Sequence, residues 1–368
     1  LDGFTDPPPL GEAFFGTGSV EVGAGVSLVA GETVEVVVEY SSADSGFLHG
    51  AQVGLRPPEA DDLVDRAVAL AAEADAVVLV VGTNDDWETE GRDRESMDLP
   101  GAQPELIRGV CAANPRTAVV VNAGSVVTMD WADGAPAVLQ SWFGGQEMGD
   151  ALVDVLFGDA EPGGRLPTTV PHRLSDTPAF TNYPGESGRV YYGEGVFVGY
   201  RWYEARDIDV AYPFGHGLGY TAFTWGAARL GDVPSAAALA AGATVTAAVA
   251  VTNTGDRPGS EVVQCYVAHL DPVVARPPQE LRGFAKVHLE PGETAEVVIE
   301  LDQRAFAYWD PADPGYADRN HSVPVAAGGG HVGHREEAGW YADPGDYEVR
   351  LGASSADIRA VMALTLEG

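Results

Sequence analysis

Ala76-Val77-Val78-Leu79-Val80-Val81 is an uncharged apolar hexapeptide that runs into the charged stretch Gly82-Thr83-Asn84-Asp85-Asp86-Trp87-Glu88-Thr89-Glu90-Gly91-Arg92-Asp93-Arg94-Glu95. A short β-branched run with no polar alternation reads as a strand buried on both faces, the kind found in parallel sheets covered by helices. Helical spacing brackets it. Leu63, Val64, Ala67, Leu70 and Ala71 recur with that period over residues 59–73, and residues 103–113 repeat the pattern after the charged stretch. Strands at 117–122 and 137–142 and a helix at 146–157 continue the alternation, which predicts a doubly wound α/β layer. In such layers ligands sit beyond the C-terminal ends of the strands, where residues 82–101 lie.

Outward from this layer the pattern changes. Residues 1–57 alternate in the strand manner, with Val34, Val36, Val38 and Tyr40 on one face, and read as a partial β-sandwich shorter than the ~100 residues a complete one needs. Residues 58–219 form the α/β domain. From about Phe214 short alternating strands return, at 245–251, 262–267, 297–301 and 347–351, separated by turns such as Asn253-Thr254-Gly255-Asp256. Residues 220–368 are therefore expected to be an immunoglobulin-like or fibronectin type III-like sandwich. The fold class is α/β plus β.

Composition excludes several functions. Asp and Glu number 55 against 21 Lys and Arg, a formal net charge of −34 that repels phosphate backbones and anionic lipid. Nucleic acid is excluded as a partner. No apolar run approaches the ~20 residues of a membrane helix, so no membrane partner is expected. Cys111 and Cys265 have neither metal-ligand spacing nor a disulfide framework and read as buried thiols. His321, His331 and His334 lie in a glycine-rich stretch that reads as a surface loop rather than a metal site. No leader is visible from Leu1 onward, and an extracellular location is the expectation.

The loop after Val81 carries the candidate chemistry. Glycoside hydrolysis uses one carboxylic acid to protonate the leaving oxygen and a second carboxylate at the sugar, and sugar sites set an aromatic face against the ring. Trp87 with Glu88 or Glu90 supplies two of these three parts. From the residues alone the same loop reads equally as a solvated turn knitted by ion pairs. It lacks both glycine-rich phosphate-binding spacings, which argues against a nucleotide-linked enzyme.

Five blocks carry a resemblance to glycoside hydrolase family 3, the family of many β-glucosidases. They are Glu88-Thr-Glu-Gly-Arg-Asp-Arg-Glu-Ser-Met-Asp-Leu-Pro-Gly, Gln140-Ser-Trp-Phe-Gly-Gly-Gln-Glu-Met-Gly-Asp with Pro162-Gly-Gly-Arg-Leu-Pro, Tyr192-Gly-Glu-Gly-Val-Phe-Val-Gly-Tyr-Arg-Trp-Tyr, Tyr212-Pro-Phe-Gly-His-Gly-Leu-Gly-Tyr, and Glu280-Leu-Arg-Gly-Phe-Ala-Lys. Their order matches. Ala13-Phe-Phe-Gly-Thr-Gly-Ser is similar to the end of the protective-antigen-like sandwich that some members insert.

The resemblance implies a retaining β-glucosidase acting on a small β-glucoside, with no cofactor and no metal. It assigns the general acid/base to Glu90, favoured over Glu88, and puts Trp87 and Glu88 at the substrate. The nucleophilic Asp belongs to an N-terminal barrel, the expected partner, which this chain does not hold. Asp93 and Arg94 are expected to pair and order the loop. Tyr191, Tyr192, Tyr200, Trp202 and Tyr203 are expected in a core or domain interface, and His216 in a structural role. β-Xylosidase activity and a non-catalytic carbohydrate-binding scaffold are the alternatives.

Overall fold

A computed structural model of the protein describes residues 21–40, 53–56, 58, 60–90, 93–312 and 337–368. Ala13 to Ser19, Gly91, Arg92, His321, His331 and His334 lie outside them. The chain divides into two units, one made of residues up to 95 with 100–122 and 134–139, the other of 96–99, 123–133 and 140–368.

The first unit holds the parallel layer. Helix α1 (Leu63–Glu73) leads to strand β1 (Val77–Gly82), helix α2 (Gln103–Ala113) to strand β2 (Thr117–Asn122), and strand β3 (Ala137–Gln140) completes the order β1-β2-β3. β1 and β2 are parallel and in register from Val77↔Thr117 to Gly82↔Asn122. Ile107 and Val110 of α2 and Val119, Val120 and Val121 of β2 are buried. Asn114 makes the turn between them: its Nδ2 donates to Ala71 O at 2.9 Å and Ala74 O at 2.8 Å, while its Oδ1 accepts from Arg116 N at 2.8 Å. One side chain thus satisfies carbonyls that the end of α1 leaves open.

The strand expected over Val34–Tyr40 is not formed. Residues 21–40 are exposed and their one regular feature is the turn in which Glu32 N donates to Val29 O. An alternating run becomes a strand only when its backbone finds a ladder partner, and none lies among the described residues.

In the second unit helix α3 (Met148–Phe157) is followed by β4 (Val170–Pro171), α4 (Tyr200–Ala205) and β5 (Val210–Tyr212), with β4 paired to β5. The fibronectin type III-like sandwich follows. It consists of β6 (Phe223–Trp225), β7 (Arg229–Leu230), α5 (Ala236–Ala240), β8 (Val245–Asn253), β9 (Gly259–His269), β10 (Glu280–Leu289), β11 (Thr294–Leu301), α6 (Gln303–Phe306), β12 (Tyr308–Asp310), β13 (Gly339–Tyr341), β14 (Gly345–Gly352) and β15 (Ile358–Leu366). One sheet runs β10-β9-β14-β15, the other β11-β8-β6 with β7 also on β8. Alternate residues of facing strands, including Val249, Val263, Val267, Ile299, Val349 and Leu351, close the core around Phe306 and Tyr347. Both cysteines are buried, and burial pushes the Cys265 thiol up to about 12.

The family-like motifs 160–216 are bound to this sandwich. Gly215, at φ 81°, occupies the left-handed region, and a Cβ there would meet Gln264 Oε1 at 2.0 Å. Gln264 Nε2 donates to Gly215 O at 3.0 Å and to Ala353 O at 2.7 Å, so the amide takes the space a side chain would need. Arg165 meets the buried Glu261 at 2.9 Å, and Lys286 Nζ donates to Gly163 O at 3.0 Å. Tyr200 stacks on Phe214 and accepts from Leu281 N, and Trp202 Nε1 donates to Asp176 O. Tyr203 is buried and Tyr200 and Trp202 are partly buried, whereas Tyr191 and Tyr192, expected in a core or interface, are exposed. His216 sits beside Tyr212, with its pKa lowered by burial and then by Arg165, as suits a structural ring.

Glu204 of α4 is half-buried. Burial raises its carboxyl from the ordinary value of 4.5 to about 7, with hydrogen bonds to Ser355 and Gln279 and the field of Arg350 offsetting part of the cost. A carboxyl raised on folding contributes stability below its unfolded pKa and loses it as pH rises through the folded one. The Glu204→Gln variant is therefore expected to match wild type in thermal midpoint at pH 4.5 and to exceed it at pH 8. The gain is roughly 1–2 kcal/mol, solvent screening reducing the upper limit of roughly 3 kcal/mol that such a displacement allows. Equal midpoints at pH 8 would refute this.

Candidate active site

The loop that leaves β1 is organised from its first residue. Gly82 is dictated by contact, since a Cβ there would lie 1.8 Å from Asn122 O. Its N–H donates to Gln103 Oε1 at 2.7 Å and its carbonyl accepts from Gln103 Nε2 at 2.9 Å, a two-point clamp from the first residue of α2. Thr83 N then donates to Asn122 O at 3.1 Å. Asn84 turns the chain: its Oδ1 accepts from Asp86 N at 3.0 Å, and its carbonyl accepts from Trp87 N and Glu88 N at 2.9 Å each. An Asx turn of this kind fixes the direction in which the next side chains leave.

Those side chains divide. Trp87 is 47% exposed. The Glu88 carboxylate turns inward to Arg94, at 3.1 Å, and its side chain keeps 11% of its exposure against 18% for Arg94. Glu90, two residues on, is exposed. The two carboxylates thus sit in different environments, Glu88 partly buried against Arg94 and Glu90 in solvent. Glu88, expected at the substrate, meets Arg94. Arg94, expected beside Asp93, meets Glu88. An isolated carboxylate in that position would carry an uncompensated charge, which Arg94 removes.

Beyond the loop, Met97 and Leu99 are buried. Thr128 N donates to Met97 O at 2.9 Å and Thr128 Oγ1 to Asp98 Oδ1 at 2.5 Å. Gln103 and Thr128 were not singled out from sequence, because neither residue type signals a loop anchor by itself. Among the described residues no group of three or more His, Cys, Asp or Glu is disposed to hold a metal ion, and no helix is long and apolar enough to cross a membrane.

An exposed carboxylate and indole on a tethered loop at a parallel strand end suit proton transfer to a neutral ligand. Comparison with known proteins bears on the rest. Residues 11–220 match the family model "Glycosyl hydrolase family 3 C-terminal domain", and residues 261–328 match a fibronectin type III-like domain. The "Beta-glucosidase" of Rhizobium radiobacter is 43% identical over 375 residues, covering 100% of this chain and 42% of the relative. "Probable beta-glucosidase I" of Aspergillus clavatus is 44% identical over 334 residues, 87% of this chain and 40% of the relative. The crystal structure of a Kluyveromyces marxianus β-glucosidase in complex with glucose superposes with a TM-score of 0.72 at 40% identity, covering 85% of this chain and 34% of that one. The chain thus spans about 40% of the length of the curated relatives it matches. With the family model covering more than half of its residues, the chain belongs to glycosyl hydrolase family 3 and carries that family's C-terminal domain followed by a fibronectin type III-like domain.

Proposed function

We propose that this chain is the C-terminal part of a retaining β-glucosidase, in which Glu90 is the general acid/base and Trp87 lines the sugar or aglycone subsite. On this reading residues 1–57 end a protective-antigen-like sandwich, 58–219 form the α/β domain and 220–368 the fibronectin type III-like domain. The nucleophilic Asp comes from a barrel outside residues 1–368. The observation that carries the choice of acid/base is the division within the loop: Arg94 neutralises Glu88, while Glu90 is exposed beside Trp87.

The chemistry is double displacement. The barrel Asp attacks the anomeric carbon, the bond to the leaving oxygen breaks, and protonated Glu90 gives that oxygen its proton. Water then adds to the anomeric carbon, Glu90 takes its proton, and the bond to Asp breaks. Such a mechanism sets the two carboxyls about 5–5.5 Å apart in the whole enzyme.

Product stereochemistry tests the reaction class. Proton NMR of an aryl β-glucoside treated with the full-length enzyme is expected to show β-glucose first, with the α anomer growing in only by mutarotation. If α-glucose forms first, double displacement is excluded.

A further inference from the structure

We propose that Gln103 is a positioning residue for the acid/base loop, its side-chain amide acting as a substitute β-rung that fixes where the loop leaves the sheet. The inference rests on the assignment of Glu90 and deepens it.

The argument begins with sheet geometry. In a parallel pair, successive residues direct their backbone groups alternately toward and away from the neighbouring strand. Thr83 N donates to Asn122 O, so it faces β2. Gly82 therefore faces the other way, toward the side of β1 on which no strand lies among the described residues. Its N–H and C=O are the last strand groups before the loop, and a strand end left open there frays. Gln103 meets both groups, at 2.7 and 2.9 Å, with the donor and acceptor pattern a neighbouring strand would present.

Its own position is fixed. It is the first residue of α2, followed by Pro104 and anchored by Ile107 and Val110, which are buried. Gly82 cannot shift toward β2 either, with Asn122 O against its Cα. A rigid helix thus sets the root of the segment that carries Trp87, Glu88 and Glu90. Proton transfer is steep in geometry, and a displacement of about 1 Å costs on the order of 10²-fold in rate. A looser root must therefore appear in the step that needs the proton, not in every step.

The test uses the full-length enzyme. Gln103→Leu keeps the side-chain size and removes both hydrogen bonds; Gln103→Glu keeps an acceptor for Gly82 N–H and loses the donor. With a methoxyphenyl glucoside, which needs protonation, Gln103→Leu is expected to lower kcat/KM by roughly 10- to 100-fold. With a dinitrophenyl glucoside, whose first step needs no proton, the expected loss is under about 3-fold. Gln103→Glu should fall between Gln103→Leu and wild type. Hydrogen exchange at residues 83–88 should quicken while residues 118–121 stay protected. Equal losses on both glucosides, or none, would overturn the proposal and leave Gln103 a residue of stability alone. Glu90→Ala run in parallel separates the two ideas: if it shows the leaving-group dependence and Gln103→Leu does not, only the positioning role fails. If Glu90→Ala lacks that dependence, the assignment of Glu90 fails and the role of Gln103 falls with it.

Discussion

Glu90→Ala in the full-length enzyme is expected to slow hydrolysis of alkyl and methoxyphenyl β-glucosides by about 10²- to 10⁴-fold, the contribution of a positioned proton donor. A dinitrophenolate leaves without a proton, so its glucoside should still form the glycosyl-enzyme at close to the normal rate. Breakdown of that intermediate needs the same residue as base, and a burst followed by slow turnover should appear. Azide attacks the anomeric carbon with no base to assist it, so it should restore turnover and yield glucosyl azide. Glu88→Ala should behave differently, because it removes the carboxylate that meets the mostly buried Arg94 at 3.1 Å. The loop then loses order, all leaving groups suffer alike, and azide brings nothing back. Should Glu88→Ala show azide rescue and Glu90→Ala show none, the proton donor is Glu88.

That contrast was only half legible in the sequence. The elements were readable because each had a strong local cause. The run Ala76 to Val81 forms the expected strand at Val77–Gly82, but Val78 and Val80 are exposed, so it is not buried on both faces; the helix expected at 103–113 and the strand at 117–122 have those bounds. The strand expected over 137–142 stops at Gln140, two residues before Trp142 takes a positive φ of 55°. The position of the charged loop beyond β1 followed from topology alone.

What could not be read was which carboxylate faces where. Glu88 and Glu90 have the same chemistry and lie two residues apart. Their division depends on Arg94 meeting Glu88, six residues earlier in the chain, a spacing no period betrays. The Gln103 clamp is hidden for a related reason, since a glutamine at a helix start looks like any polar surface residue until its partner strand end is known. The same holds for the carboxylates of the sandwich. Nothing in the composition distinguishes Glu204, raised to about 7, from Glu280, which is held below the usual range.

Glu280→Ala is expected to destabilise the sandwich by about 3–5 kcal/mol, the cost of breaking a buried ion pair from one side. Its side chain is 9% exposed and meets Arg276 at 2.7 Å, Arg282 at 2.8 Å and Arg201 at 3.7 Å. Arg276 is itself 5% exposed, so removing the carboxylate strands a guanidinium that water cannot reach. Burial alone would raise the Glu280 pKa, but Arg282 and Arg276 outweigh it and lower it. The sign is then opposite to that of Glu204. A lowered carboxyl contributes stability above its unfolded pKa and loses it as pH falls through the folded one. The gap in unfolding free energy between wild type and Glu280→Ala should accordingly be constant above pH 4.5 and narrow below it. Arg201→Ala serves as the control, because its longer and more exposed contact should be worth under about 1 kcal/mol. If Arg201→Ala costs as much as Glu280→Ala, or the gap fails to narrow in acid, the three arginines do not act through this carboxylate.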